Sequence, residues 1–241
     1  MPEPSILVSP KLLAALAAGA DQKFFTVDAW ADRLRGVPGA EAFIAQMGRE
    51  WSSMSVPDQL CQQMTDFARG YLSGSPWWPH IWAHILRVTG WALALAPEAG
   101  IEVPYALVLG IFHDLGKLDE INGGEPHEQV GAELARQQLS GNFAADVVEH
   151  IARVIEKRAD SADPYALLLH DADKLDKIGA TGIARRLSTD FGTRNTAAAL
   201  KRVQQEAERF PAMSFPTSRR LRKLKLDFTD EFLKKVDPNA V

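Results

Sequence analysis

The sequence predicts an all-α protein. Apolar residues recur at helical spacing along most of the chain, alternating strand patterns are scarce, and β-branched residues rarely cluster. Helices are expected at 10–18, 27–35, 40–51, 57–72, 80–96, 104–115, 127–139, 144–157, 165–175, 183–187, 196–210 and 230–236. The first opens with Ser9 as a cap and Pro10 at its first position. Gly-Val-Pro-Gly at 36–39 separates the second from the third, and Ser-Gly-Ser-Pro at 73–76 ends the fourth. The fifth runs to Pro-Glu-Ala-Gly at 97–100. Within it His84, Val88, Trp91 and Leu95 form one stripe that must point inward, so His84 is aimed at the interior. The sixth is apolar over 105–112 and ends at His113-Asp114, just before a glycine. Asn-Gly-Gly at 122–124 precedes the seventh, which His127 opens; the eighth carries His150 late in its run. Ala-Asp-Pro at 162–164 precedes the ninth, and the remaining three rest on periodicity.

Composition narrows the function. The 241 residues are 46% hydrophobic and 24% charged, enough to bury a full core and too apolar for bulk disorder. Cys61 is the single cysteine, which excludes an intrachain disulfide framework and a cysteine-built zinc site. The net charge of −4 carries no general affinity for polyanions, and nucleic acid is not an expected partner. The five basic residues within 218–226 are read as a solvated helix face, and Trp77, Trp78, Trp82 and Trp91 as core. Charge-free apolar runs reach about half of the ~20 residues a spanning helix needs, so no membrane partner is expected. The stretch 12–20 looks like an export core, but Glu3 and a single Lys11 precede it, and a reducing cytoplasmic setting is expected.

The chemistry concentrates in histidines and aspartates. His113-Asp114 is costly to bury unless something positive compensates it. Asp171, Asp173 and Asp176 crowd together after another apolar run and repel one another without a cation. Imidazole mixed with carboxylate suits Fe, Mn, Co or Zn, whereas carboxylate alone leans to Mg or Ca.

His-Ile-Leu-Arg-Val at 84–88, His-Asp-Leu-Gly-Lys at 113–117 and Asp-Ala-Asp-Lys-Leu-Asp at 171–176 together resemble the HD-domain superfamily of metal-dependent phosphohydrolases. The segment 173–186 looks especially like its predicted-hydrolase branch. The resemblance covers roughly residues 76–190. It implies an orthogonal helical bundle at 73–190 holding the metal, with an N-terminal helical segment at 1–72 and a C-terminal helical extension at 191–241. It implies first-ion ligands His84, His113, Asp114 and Asp171. His127 and His150 then serve a second ion bridged by Asp114, giving one or two divalent ions per chain, Fe, Mn, Co or Zn, with Mg also open. Asp173 is expected to orient or cap, not to ligate.

On this reading Asp114 and Lys117 are catalytic, Lys117 supplying positive charge to a phosphoryl group. Arg87 and Lys174 are further candidates for substrate contact, though Arg87 could equally be a structural ion-pair partner and Lys174 could balance the neighbouring aspartates. His80 is expected at an exposed helix start and His170 to pack away from the metal. The expected activity is hydrolysis of a phosphate ester or anhydride of a nucleotide or related small metabolite. The alternatives are an HD-fold di-iron oxygenase with the same ligand set and a non-catalytic regulatory HD module. A cyclic-dinucleotide phosphodiesterase is disfavoured, because the Gly-Tyr-Pro signature is missing.

Overall fold

The computed structural model describes residues 31–32, 34–51, 59–75, 78–189 and 196–236. The expected helix 10–18 and most of 27–35 lie outside the described residues. The elements are α1 (Ala40–Trp51), α2 (Gln59–Leu72), α3 (Trp78–Ala99), α4 (Val103–Phe112), α5 (Lys117–Ile121), α6 (His127–Leu139), α7 (Ala145–Ile155), α8 (Pro164–Leu175), α9 (Gly179–Thr189), α10 (Thr196–Glu208) and α11 (Pro216–Lys234). The all-α expectation holds. No described helix is long and apolar enough to cross a membrane.

The chain packs as two units, one of residues 53–173 with 214–218, the other of 1–52, 174–213 and 219–241. In the first, α4 is the central rod. Ala106, Leu107, Val108, Leu109, Gly110, Ile111 and Phe112 are all buried, as a helix apolar on every face requires. Each of its large apolar side chains contributes roughly 1.5–3 kcal/mol of transfer free energy. The expected stripe on α3 does point inward, with His84, Val88, Trp91 and Leu95 all buried. Gly110 permits the contact between these helices, because a Cβ there would lie 2.5 Å from the Thr89 Cα. Pro97 falls within the last turn of α3 and does not end it. The helix closes with Gly100 N–H on the Pro97 carbonyl and Ile101 N–H on that of Ala96.

After α4, which ends three residues before the expected 115, the chain makes a tight turn over 113–116 before the short α5, a helix not among those expected. The turn needs Gly116: a Cβ there would meet Val130 Cβ at 2.6 Å and the His127 carbonyl oxygen at 2.7 Å. Removing that Cβ brings the start of α6, and with it His127, against the His113-Asp114 turn. Arg136 of α6 then grips Glu149 of α7 with two hydrogen bonds, 2.9 and 3.0 Å, and Glu156 with a third at 2.7 Å. Asp163 caps α8 through the Tyr165 and Ala166 N–H groups at 2.8 and 3.3 Å.

In the second unit Phe43 of α1 lies 5.9 Å from both Phe228 and Phe232 of α11. Asp176, fully buried, accepts a 2.6 Å hydrogen bond from Arg185. The last helix begins at Pro216, well before the expected residue 230. The basic run within it is not simply a solvated face: Lys225 is only 2% exposed, and Arg222 donates to the carbonyls of Phe210 and Pro211.

Candidate metal centre

Two helices and one turn supply the centre. His84 comes from the inward stripe of α3, His113 and Asp114 from the turn that ends α4, and Asp173 from the last turn of α8. Among the described residues, His84, His113 and Asp173 place one ligand atom each within 4.8 Å of one another. His84 Nε2 is 3.4 Å from His113 Nε2, from Asp114 Oδ2 and from Asp173 Oδ1. His113 Nδ1 lies 2.8 Å from the Gly110 carbonyl oxygen, which can only accept, so that nitrogen carries the proton and Nε2 presents its lone pair to the cluster.

This donor set fits a metal ion. Two donors bonded to one ion at about 2.1 Å and standing 3.4 Å apart subtend roughly 108°, near the tetrahedral angle. The histidines form a buried floor, 3% and 7% exposed, while the Asp114 and Asp173 side chains, 21% and 20% exposed, rim the open side. Two carboxylates meeting two imidazoles in one cleft call for a cation. Burial pushes the His113 imidazole below its ordinary value, favouring the neutral, ligating form. Burial by itself would raise Asp114, but the adjoining His113 and His84 outweigh it and hold that carboxyl well below the usual range.

Asp171, expected as a ligand, is turned elsewhere. It is fully buried, and its oxygens accept from the Ser214 N–H at 2.7 Å, the Phe215 N–H at 3.2 Å, Ser218 Oγ at 2.5 Å, Ser214 Oγ at 3.3 Å and His170 Nδ1 at 3.1 Å. Asp173 stands at the histidines instead. The reason is helical geometry: two positions apart on a helix are roughly 200° apart around its axis, so only one can face a given site. The sequence carried no signal for which.

The second-ion histidines separate. His127 Nε2 is 3.3 Å from Asp114 Oδ1, on the side away from His84. Its Nδ1 meets Glu120 Oε2 at 2.6 Å and Glu128 Oε2 at 3.2 Å. The structure does not bring His150 to them: its Nε2 is 2.9 Å from Asp163 Oδ2 and its ring packs on Tyr165, with centroids 4.7 Å apart. Lys117 is near the centre and already engaged, its ammonium donating to Glu120 at 2.7 Å and lying 3.1 Å from His127 Nδ1. Glu120 was not singled out by its sequence context; it joins the site because one turn of α5 puts it beside Lys117. Arg87 is buried, 2% exposed. Lys174 is half-buried, next to Asp173 in the chain.

Residues 81–178 match the HD domain family. This segment carries the HD domain, the domain of a superfamily of metal-dependent phosphohydrolases. Its fold is similar to that of a predicted HD superfamily hydrolase from an uncultured Thermotogales bacterium, with a TM-score of 0.53 and 23% identity over 72% of this chain and 89% of that one. It is also similar to Bacillus subtilis YpgQ in complex with ADP, with a TM-score of 0.57 and 19% identity over 73% and 92% of the two chains. An HD-superfamily hydrolase from Bacillus thuringiensis aligns with a TM-score of 0.56 and 18% identity over 73% and 93%. None of the curated proteins matches the chain.

Proposed function

We propose that this protein is a metal-dependent phosphohydrolase that cleaves a phosphate ester or anhydride of a nucleotide or related small metabolite. The observation that carries the reading is the convergence of His84, His113 and Asp173 within 4.8 Å, with Asp114 beside them. These four residues would hold one divalent ion, and the mixed nitrogen and oxygen set suits Mn, Fe, Co or Zn. Such an ion lowers the pKa of a bound water and polarises a phosphoryl oxygen. The chain's own groups do the rest. Asp114 keeps its outer oxygen toward His127, which is held from behind by Glu120 and Glu128. Lys117, steadied by Glu120, supplies positive charge beside the cleft for the non-bridging oxygens of the substrate. The ADP bound by YpgQ, a protein of the same fold, supports a nucleotide as substrate. A di-iron oxygenase would call on His150 as a ligand, and the pairing of His150 with Asp163 counts against it. We place the enzyme in the cytoplasm and treat 1–72 and 191–241 as accessory to the 73–190 core.

The test is phosphate release by Mn-, Co- or Zn-loaded protein from nucleotides, ADP among them, and from dinucleoside polyphosphates, with and without oxygen. Metal-dependent release that continues anaerobically is expected. Turnover that stops when oxygen is removed, or no release from any of these substrates, would refute the reading.

A further inference from the structure

The short segment 214–218 lies outside the family-matched residues, yet it packs within the same unit as the metal centre. Its attachments are polar and specific. At one side it hands the Ser214 and Phe215 N–H groups and the Ser218 hydroxyl to Asp171 of α8, a carboxylate with no exposed surface. At the other, the Thr217 N–H donates to Glu98 Oε2 at 3.0 Å, and the Thr217 hydroxyl bonds to the same carboxylate. Glu98 belongs to the last turn of α3. The segment therefore ties α3, which carries His84, to α8, which carries Asp173.

That bridge matters because the two helices lack a close seam of their own. α3 packs most extensively against α4, with Gly110 making the approach possible; among the described residues α8 makes no comparably close backbone approach to α3. The 3.4 Å separation of His84 Nε2 and Asp173 Oδ1 thus spans two helices held in register from outside. Asp171 and Asp173 sit on opposite sides of α8, roughly 200° apart, so a pull on one orients the other.

We propose that residues 214–218 form a strap that sets the metal affinity of the centre, with Asp171 and Glu98 as its anchors and positioning residues. The strap touches no reacting atom. It acts by fixing the rotation of α8 relative to α3, and the proposal rests on the reading of His84, His113, Asp114 and Asp173 as metal ligands. Groups that orient ligands from outside the coordination sphere typically change metal affinity by about 10–100-fold.

The experiment is Mn(II) binding to the full-length protein, by calorimetry and by loss of the free-ion paramagnetic resonance signal, well below the melting temperature. Ser218→Ala and Glu98→Ala are each expected to weaken Mn(II) binding about tenfold. Glu98 is exposed, so its variant keeps the test open if Ser218→Ala folds poorly. Arg136→Ala, which breaks the Glu149 and Glu156 contacts away from the strap, serves as the destabilised control and is expected to hold wild-type affinity. Wild-type affinity in the Glu98 variant would overturn the proposal, and so would an equal loss in the Arg136 control. Absence of Mn(II) binding by the wild type would instead overturn the metal reading itself, and the strap with it.

Discussion

Gly110→Ala is a one-carbon test of how the centre is built. The new Cβ would lie 2.5 Å from Thr89 Cα and 2.7 Å from Thr89 Oγ1, where ordinary contact begins at 3.4 Å. The near atom is backbone and cannot swing aside, and Thr89 Oγ1 is committed to the Ile85 carbonyl at 2.8 Å. Relief therefore requires α3 and α4 to part by about 1 Å, with an overpacking penalty of roughly 1–3 kcal/mol. For a protein of this size that lowers the melting temperature by about 2–12 °C. The same displacement acts on the ligands, since His84 rides on α3 and His113 ends α4. Their nitrogens, now 3.4 Å apart, would stand up to about 4.4 Å apart, beyond the ~4.2 Å that two bonds of about 2.1 Å to a common ion can span. Melting by circular dichroism and metal content after desalting read the two effects separately. Gly70→Ala is the control: it too lies within a helix, nothing stands within 4 Å of its Cβ, and better helix propensity should stabilise it by up to about 1 kcal/mol. A Gly110→Ala protein with wild-type melting temperature and wild-type metal content would refute the reasoning.

Three further outcomes are expected. Elemental analysis should find that Asp173→Asn loses the bound ion while His150→Ala keeps it, because His150 is occupied with Asp163; retention by Asp173→Asn would remove that residue from the ligand set. Lys117→Met should lower turnover about 10²–10³-fold at unchanged metal content, as loss of a charge-stabilising donor does, and an unaltered rate would exclude Lys117 from the reaction. Burial, then the 2.9 Å hydrogen bond to Asp119 and that residue's charge, push the Tyr71 phenol up to about 12. The folded protein thus holds this proton after the unfolded chain has released it near pH 10, and the stabilisation is complete below pH 10 and lost as pH rises toward 12. Denaturant titrations across that interval should show a weaker fall in Tyr71→Phe, and an identical pH profile in both proteins would contradict the assignment.

Local pattern was enough for most of the described helices and for the inward aim of His84, because the 3.6-residue period of apolar side chains is written directly in the chain. It also put His113 and Asp114 at the end of an apolar rod, where a charged pair needs compensation. The same reasoning lost α5, since a five-residue helix after a tight turn leaves no periodic signature. It began α11 late as well, because a basic run looks solvated until a carbonyl or a core claims each cation.

What sequence alone could not decide was which member of each like pair reaches the ion. Asp171 and Asp173 are chemically identical and two residues apart, and only the position of 214–218 on one side of α8 and of His84 on the other assigns their roles. His127 and His150 both follow the motif on helices. A missing Cβ at Gly116 admits the first to Asp114, while the cap of α8 takes the second through Asp163. Periodicity aims His84 inward and sets His113-Asp114 at the end of an apolar rod, where burial without compensation is unfavourable, and the motif resemblance implies a metal there. Which atoms complete it depends on contacts between residues far apart in the chain, and those exist only once the helices have packed.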